Sequence, residues 1–228
     1  SVFKDGGDSI VIDDLAIDEL GPAPVVPEPA PVEVKLPGRA VLIEERCEKP
    51  LGPEWRAIVS PRSGTSISAG GGELTVNAAA NVTACVERDL PGEVTAVECR
   101  LDAEEDTGQT WGPGVALLWS GGQALRINTR GPDGCFGVDS TAGAQARAGN
   151  LDGYPATLRI RLESDKVVAE AATAGDWQEI ASFQRDKFPG DPRRLRVGKM
   201  HGVEGTDDHG DPGQAGVSTI TMVRVNGR

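Results

Sequence analysis

Glycine and proline punctuate this chain so closely that almost no stretch is long enough to run as a helix. The 228 residues include 30 glycines and 16 prolines, which disfavour a helix interior by about 1 and about 3 kcal/mol each. Between these breaks apolar and polar residues alternate. In residues 157–163, Leu158, Ile160 and Leu162 oppose Arg159 and Arg161. In 124–130, Leu125 and Ile127 oppose Arg126, Asn128 and Arg130; in 95–102, Val97, Cys99 and Leu101 oppose Glu98, Arg100 and Asp102. A period of two is that of a strand, and one apolar with one polar face suits an antiparallel sheet covered on one side. Similar runs fall at 40–46, 55–59, 66–68, 73–77, 82–88, 93–102, 115–119, 166–172, 177–183, 195–200 and 218–225. Residues 115–119 are apolar on both faces and read as a central strand. The alanines of 168–174 favour a helix, but the run is short and Gly175-Asp176 follows, so strand fits better. About thirteen short strands at this spacing predict an all-β, two-sheet antiparallel sandwich.

The chain's beginning reads differently. Residues 9–20 (SIVIDDLAIDEL) form one strand-like run whose Ile12, Leu15 and Ile17 match Ile220, Val223 and Val225 near the other end. Residues 21–37 carry Pro22, Pro24, Pro27, Pro29, Pro31 and Pro37, a density that excludes helix and central strand and leaves an extended spacer. The expected organisation is a strand in 1–20 from a preceding domain or exchanged between chains, a proline-rich linker in 21–38, and a sandwich over 39–228. The chain opens on Ser1, with no leader, and reads as a slice of a modular protein.

Charge and cysteines narrow the class. A formal net charge of −12 argues against nucleic acid or an anionic membrane as partner. No apolar run approaches the roughly 20 residues of a spanning helix, so membrane insertion is not expected. Cys47, Cys85, Cys99 and Cys135 lack C-x-x-C spacing, which argues against a zinc or thioredoxin-like motif. Two accounts stay open for them: disulfides, with Cys85 and Cys99 facing each other across Asp89-Leu90-Pro91-Gly92, or buried free thiols. Asn81-Val82-Thr83 is a formal glycosylation sequon, set aside because the alanine-, glycine- and arginine-rich usage reads as bacterial.

An ordered series of short motifs carries a resemblance. Val41-Leu42-Ile43-Glu44-Glu45 with Trp55 beyond is followed by Gly72-Glu73-Leu74-Thr75-Val76 and the run from Gly114 to Trp119. Thr157 to Leu162, Gly175-Asp176-Trp177 and Arg196-Val197-Gly198-Lys199 complete it. Over residues 39–228 this resembles the concanavalin A-like lectin/glucanase superfamily, nearest to its bacterial laminin-G-like members of uncharacterised function. The resemblance implies a jelly roll with one concave sheet, and a fold does not supply a function.

Candidate sites follow from residue chemistry. Glycan hydrolysis needs two carboxyl groups about 5–10 Å apart, which alternate strand residues can supply. The nearest run, Asp102, Glu104, Glu105 and Asp106, reads as an acidic loop, and no Ser/His/Asp constellation is visible. The polar segment 201–213 gathers His201, Glu204, Asp207, Asp208, His209 and Asp211. Asp207, Asp208, His209 and Asp211 are its metal candidates, with Ca²⁺ the expected cation. A transition metal or a plainly solvated loop are the alternatives. Trp111, flanked by loop residues, and Tyr154 offer faces for sugar rings, whereas Trp55, Trp119 and Trp177 read as core. Arg126, Arg130, Arg159, Arg161 and Arg196, with Asn128 among them, would form a strip for acidic polysaccharide if their strands share a sheet. The alternative is cross-strand pairing with Glu98, Asp102, Glu163 and Glu170.

The resulting expectation is a non-catalytic glycan-binding module of a secreted or surface-displayed, multidomain bacterial protein. Its partner would be a polysaccharide or cell-surface glycan, possessed through Trp111, Tyr154 and the arginine strip. The first alternative is a structural or assembly module of an adhesin, surface layer or filament, joining copies through the N-terminal strand. The second is a divergent glycan hydrolase or lyase.

Overall fold

A computed structural model describes residues 40–228 except 62–63, 80–81, 107–111, 144, 174 and 201–215. These belong to one contact unit, Lys35–Arg228, and they are all-β as the alternation predicts. The eight-stranded sheet runs β13 (Gln178–Gln184), β12 (Lys166–Ala172), β11 (Ala156–Leu162), β6 (Val94–Asp102), β15 (Gly216–Gly227), β4 (Glu73–Ala78) and β3 (Ser66–Gly70), with β1 (Val41–Glu45) also paired to β15. The seven-stranded sheet runs β10 (Gln145–Ala148), β9 (Cys135–Ser140), β8 (Ala124–Arg130), β7 (Gly114–Leu118), β14 (Arg194–Lys199), β5 (Ala84–Asp89) and β2 (Trp55–Val59). Every pairing in both sheets is antiparallel. The alanine-rich 168–174 run is strand in β12, because pairing to β11 and β13 outweighs alanine's helical preference.

The two inner faces meet in one core. Leu74, Val97, Leu101, Leu158, Ile160 and Val225 from the eight-stranded sheet join Val86, Leu117, Leu125, Ile127, Leu195 and Val197 from the other. Phe188, just beyond a 3-10 turn at Arg185–Lys187, is fully buried against Trp119 and Phe183, with ring centroids at 4.9 and 5.8 Å. Trp119 donates its indole N–H to Gly190 O at 3.0 Å.

Several connections differ from the sequence reading. The Leu90-Pro91-Gly92 segment does not close a hairpin: β5 and β6 lie in different sheets, so Cys85 and Cys99 do not face each other. Leu90 N instead donates to Arg193 O at 2.8 Å, and Gly92 takes φ +90 to turn the chain toward the other layer. All four cysteines are free thiols. Burial pushes Cys47 up to about 11 and Cys85 up to about 12, and it raises Cys99 as well, so none of these three is an accessible thiolate near neutral pH. Strands β9 and β10 were not anticipated: in β9 Phe136 and Val138 alternate into the core but Gly137 interrupts them, and β10 is the short Gln145-Ala146-Arg147-Ala148. The strand at 9–20 and the linker at 21–38 lie outside the described residues.

Backbone closeness fixes Gly114 in the centre of the seven-stranded sheet. A Cβ there would stand 2.1 Å from Ile127 O and 2.7 Å from Asn128 Cα, both backbone atoms that cannot swing away. Gly114→Ala is therefore expected to destabilise by about 3 kcal/mol. Gly121→Ala, where the Cβ would meet only the flexible Gln123 amide at 2.5 Å, is expected to cost less than about 1 kcal/mol. Urea midpoints at constant m-value compare the two.

Candidate active site

Alternation sends every second residue of the seven-stranded sheet away from the core. Register aligns six of them in one row across six strands: Asp139 (β9), Arg126 (β8), Ala116 (β7), Arg196 (β14), Glu87 (β5) and Arg56 (β2). Their chain neighbours Val138, Leu125, Leu117, Val197 and Val86 all lie in the core, so this row belongs to the outward face. A second apolar group, with Cys85, Ala116, Leu118 and Met200, lies beside it.

Charges on the row are paired. Arg126 donates to Asp139 and to Met200 O, with both side chains almost fully buried. Burial pulls the Arg126 guanidinium below its usual range, opposed by Asp139. Glu87 accepts from three guanidinium groups: Arg196 Nε at 2.7 Å, Arg56 Nη2 at 3.0 Å and Arg194 Nη1 at 3.1 Å. The same Arg56 Nη2 reaches Asp89 Oδ1 at 2.9 Å. Glu87 and Asp89 are alternate residues of β5 on one face. Their shared donor limits the distance between the two accepting oxygens to at most about 6 Å, which excludes the wider spacing of an inverting pair and leaves the closer spacing of a retaining one. Arg130 donates to Asp133 Oδ2 at 2.9 Å at the edge of this face.

The structure divides the residues singled out from sequence. Arg126, Asn128, Arg130 and Arg196 share the seven-stranded sheet, whereas Arg159 and Arg161 lie on the eight-stranded one, so the five arginines do not form one strip. On that second sheet cross-strand pairing holds: Arg159 Nε donates to Glu170 at 2.7 Å, and Arg161 binds Glu163 and, at 2.9 Å, Glu170. Two guanidinium partners offset burial and hold the Glu170 carboxyl below its usual range. Trp177 is not core. It is half-buried, with the Arg159 guanidinium carbon 3.7 Å from its ring centroid, a cation–π contact. Tyr154 is half-buried against the core, its phenol pushed up by burial and partly offset by a hydrogen bond shared with Thr129.

The acidic run does not gather a carboxylate pair. Asp102 Oδ1 accepts from Glu104 N at 2.9 Å, while Asp106 turns inward to Lys199. Trp111 and the metal candidates Asp207, Asp208, His209 and Asp211 lie outside the described residues. Among the described residues no group of three or more His, Cys, Asp or Glu is placed to hold a metal ion.

Sequence reading missed Glu87 and Asp89. Their signal was visible as alternate carboxylates in Val86-Glu87-Arg88-Asp89. Only the fold, however, brings Arg56, thirty-one residues earlier, onto both.

No protein-family model matches the chain, and no curated protein matches it. Solved structures do. The laminarinase catalytic domain from Thermotoga maritima MSB8 is similar with a TM-score of 0.59 at 13% identity, covering 83% of this chain and 98% of that one. SCLam, a non-specific endo-β-1,3(4)-glucanase from family GH16, gives 0.53 at 13% identity, covering 82% and 91%. The GH43 protein BlXynB from Bacillus licheniformis gives 0.59 at 15% identity, covering 81% of this chain and 39% of that one, so the chain spans well under half of its length. These neighbours are glycan hydrolases by name, which corrects the expectation of a non-catalytic glycan-binding module and of a chain that is not an enzyme. The third expectation, a divergent hydrolase, is the one they accord with. At this identity the likeness establishes the architecture: the chain has the concanavalin A-like jelly-roll fold.

Proposed function

We propose that the chain hydrolyses a polysaccharide on the outward face of the seven-stranded sheet, with Glu87 and Asp89 as the carboxylate pair. The observation that carries this is their placement on one face of β5, bridged by a single Arg56 nitrogen. Glu87, fixed by three guanidinium groups, attacks the anomeric carbon and holds the sugar as a glycosyl ester. Asp89, open to solvent, gives a proton to the departing glycosidic oxygen. The glycosidic C–O bond breaks as the ester forms; water, giving one proton to Asp89, then displaces Glu87, so that its hydroxyl ends on the anomeric carbon and both carboxyls regain their starting state. Arg56 is the positioning residue that sets their separation. A polymeric substrate puts the protein, in this proposal, outside the cell or at its surface.

The test is reducing-end release from a panel of neutral and acidic polysaccharides. Glu87→Gln and Asp89→Asn are each expected to lower the rate by about 10²-fold or more; the melting temperature should stay close to the parent's for exposed Asp89→Asn and fall for Glu87→Gln, which leaves buried Arg196 without its carboxylate. Undiminished release by both variants removes this pair from the chemistry, and no release by the parent from any polymer overturns the hydrolase reading.

A further inference from the structure

Two polar atoms on this outward face are left without a partner by everything described so far. Asn128, 1% exposed, donates from Nδ2 to Thr129 O at 2.7 Å, but its Oδ1 meets no donor among the described residues. Arg196, 5% exposed, gives Nε to Glu87, and its Nη1 meets no acceptor among them. A buried hydrogen-bonding atom left unmet costs about 1–3 kcal/mol. Native folds carry few of them, and each calls for an explanation.

Register shows what surrounds these atoms. Beside the charged row runs another: Gly137 (β9), Asn128 (β8), Gly114 (β7), Gly198 (β14) and Cys85 (β5). Three of its five positions carry no side chain. Between Asn128 and Arg196, strand β7 contributes only Gly114 and the methyl group of Ala116. The Asn128 Oδ1 lies where a Cβ on Gly137 would come within 3.0 Å, so glycine at 137 keeps the space beside that oxygen clear.

The charge of the face has a sign. Arg56, Arg126, Arg130, Arg194 and Arg196 stand on its strands against Glu87, Asp89 and Asp139, with Asp133 at its edge. Five guanidinium groups against four carboxylates leave a surplus of one positive charge, on a chain whose formal charge is −12. An unmet guanidinium N–H within a positive field suits an anionic acceptor, and an unmet amide oxygen suits a hydroxyl. A sugar bearing a carboxylate offers both groups.

We propose that this face selects a polyuronate, Arg196 Nη1 donating to a uronate carboxylate and Asn128 Oδ1 accepting from a sugar hydroxyl. The proposal rests on the hydrolase reading for the location of the site and adds the class of substrate. Arg196 bonds both ways in it, holding Glu87 through Nε and the substrate through Nη1, which puts the bound carboxylate next to the carboxylate pair.

Affinity electrophoresis of the intact chain tests it, with polygalacturonate, alginate and hyaluronate as acidic probes. Laminarin and fully methyl-esterified polygalacturonate are the uncharged controls. Retention is expected on at least one acidic polymer, falling as salt rises and disappearing on the esterified control. Arg196→Gln is expected to weaken it about tenfold or more and Asn128→Leu by about fivefold, with far-UV circular dichroism unchanged. Because Arg196→Gln also removes one of the three donors to Glu87 and Asn128→Leu also removes the Thr129 O contact, loss of acidic retention counts for recognition only where the melting temperature shows the variant folded. Equal retention of acidic and esterified polymers, absence of retention on all three acids, or unchanged retention in both variants overturns the proposal. Cleavage of laminarin without acid preference sinks this inference and leaves the hydrolase reading standing. Acid-specific retention without cleavage does the reverse.

Discussion

Replacing Lys199 by methionine is expected to destabilise the protein by about 3–5 kcal/mol. Lys199 is the last residue of β14 and points between the sheets, where it is 2% exposed. Its ammonium donates to Asp106 Oδ1 at 2.6 Å and Oδ2 at 2.8 Å, and more weakly to Ala78 O at 3.4 Å. Asp106, 4% exposed, also accepts from Ser218 Oγ at 3.3 Å. Removing the cation leaves a carboxylate inside the protein with one hydroxyl for company. The pair itself gains little over apolar packing, because desolvation offsets its attraction. Lys199→Met with Asp106→Leu is therefore expected to recover most of the loss. Urea unfolding of the parent, both single variants and the double variant closes the cycle. A single-variant loss below about 1 kcal/mol refutes the argument.

The same variant has a pH signature with a definite sign. Burial raises Asp106 above the ordinary carboxylate range and lowers Lys199 below its own, each opposed by the partner. Without Lys199 the opposition at Asp106 disappears and its folded pKa rises further. A carboxyl whose folded pKa lies above the unfolded one favours folding below the unfolded value and loses that contribution as pH rises through the folded one. The gap between parent and Lys199→Met should accordingly narrow as pH falls from neutrality toward the normal carboxylate range. A gap that is constant or widens on acidification contradicts this.

Phe188→Ala is expected to cost a similar amount, about 3–5 kcal/mol. The ring is fully buried and contacts Trp119 and Phe183 from opposite sheets. The turn that delivers it is fixed by Phe188 N donating to Arg185 O at 3.0 Å, while the Arg185 guanidinium holds Phe188 O and Gly190 O. The backbone around the cavity is therefore tied and cannot collapse to fill it. Phe188→Leu, which keeps most of the volume, is expected to lose less than half as much. Near-ultraviolet circular dichroism should weaken in the alanine variant as Trp119 loses its neighbour. A loss below about 1 kcal/mol means that the site refills.

Much of the fold was legible in the sequence because alternation is a local property. Leu158, Ile160 and Leu162 announce a face, and the face predicts burial. Which sheet a strand joins is a different kind of information. The segment after Asp89 has the composition of a hairpin turn, yet it carries the chain to the other layer, and nothing local separates those outcomes. That one step decides whether Cys85 meets Cys99. The distribution of strands between sheets likewise decides whether Arg126 and Arg159 share a face. The charge pairing of Arg159 and Arg161 with Glu170 was foreseeable from register on adjacent strands. Arg56 bridging Glu87 and Asp89 was not, since it depends on an edge strand folding back from a long loop. Trp177 reads as core from sequence because it leads directly into the strand-like run that holds Ile180 and Phe183. Its own position, just before β13 begins, lets it lie over Arg159 instead.

Strand β15 has a consequence for how the chain is made. Along one edge it pairs with β6; along the other it pairs with β4 at its beginning and β1 at its end. Until Gly216–Gly227 has left the ribosome, β1 has no partner in its sheet and the β3–β4 pair is separated from the β6–β11–β12–β13 block. Arg224 meets Glu44 across 180 positions of chain, a loop closure that makes folding slow. The sandwich therefore cannot assemble in the order of its synthesis. Strands made first must stay soluble with unsatisfied edges while translation continues. A chain truncated before Gly216 is accordingly expected to leave the edges of β1, β4 and β6 open for pairing with other chains.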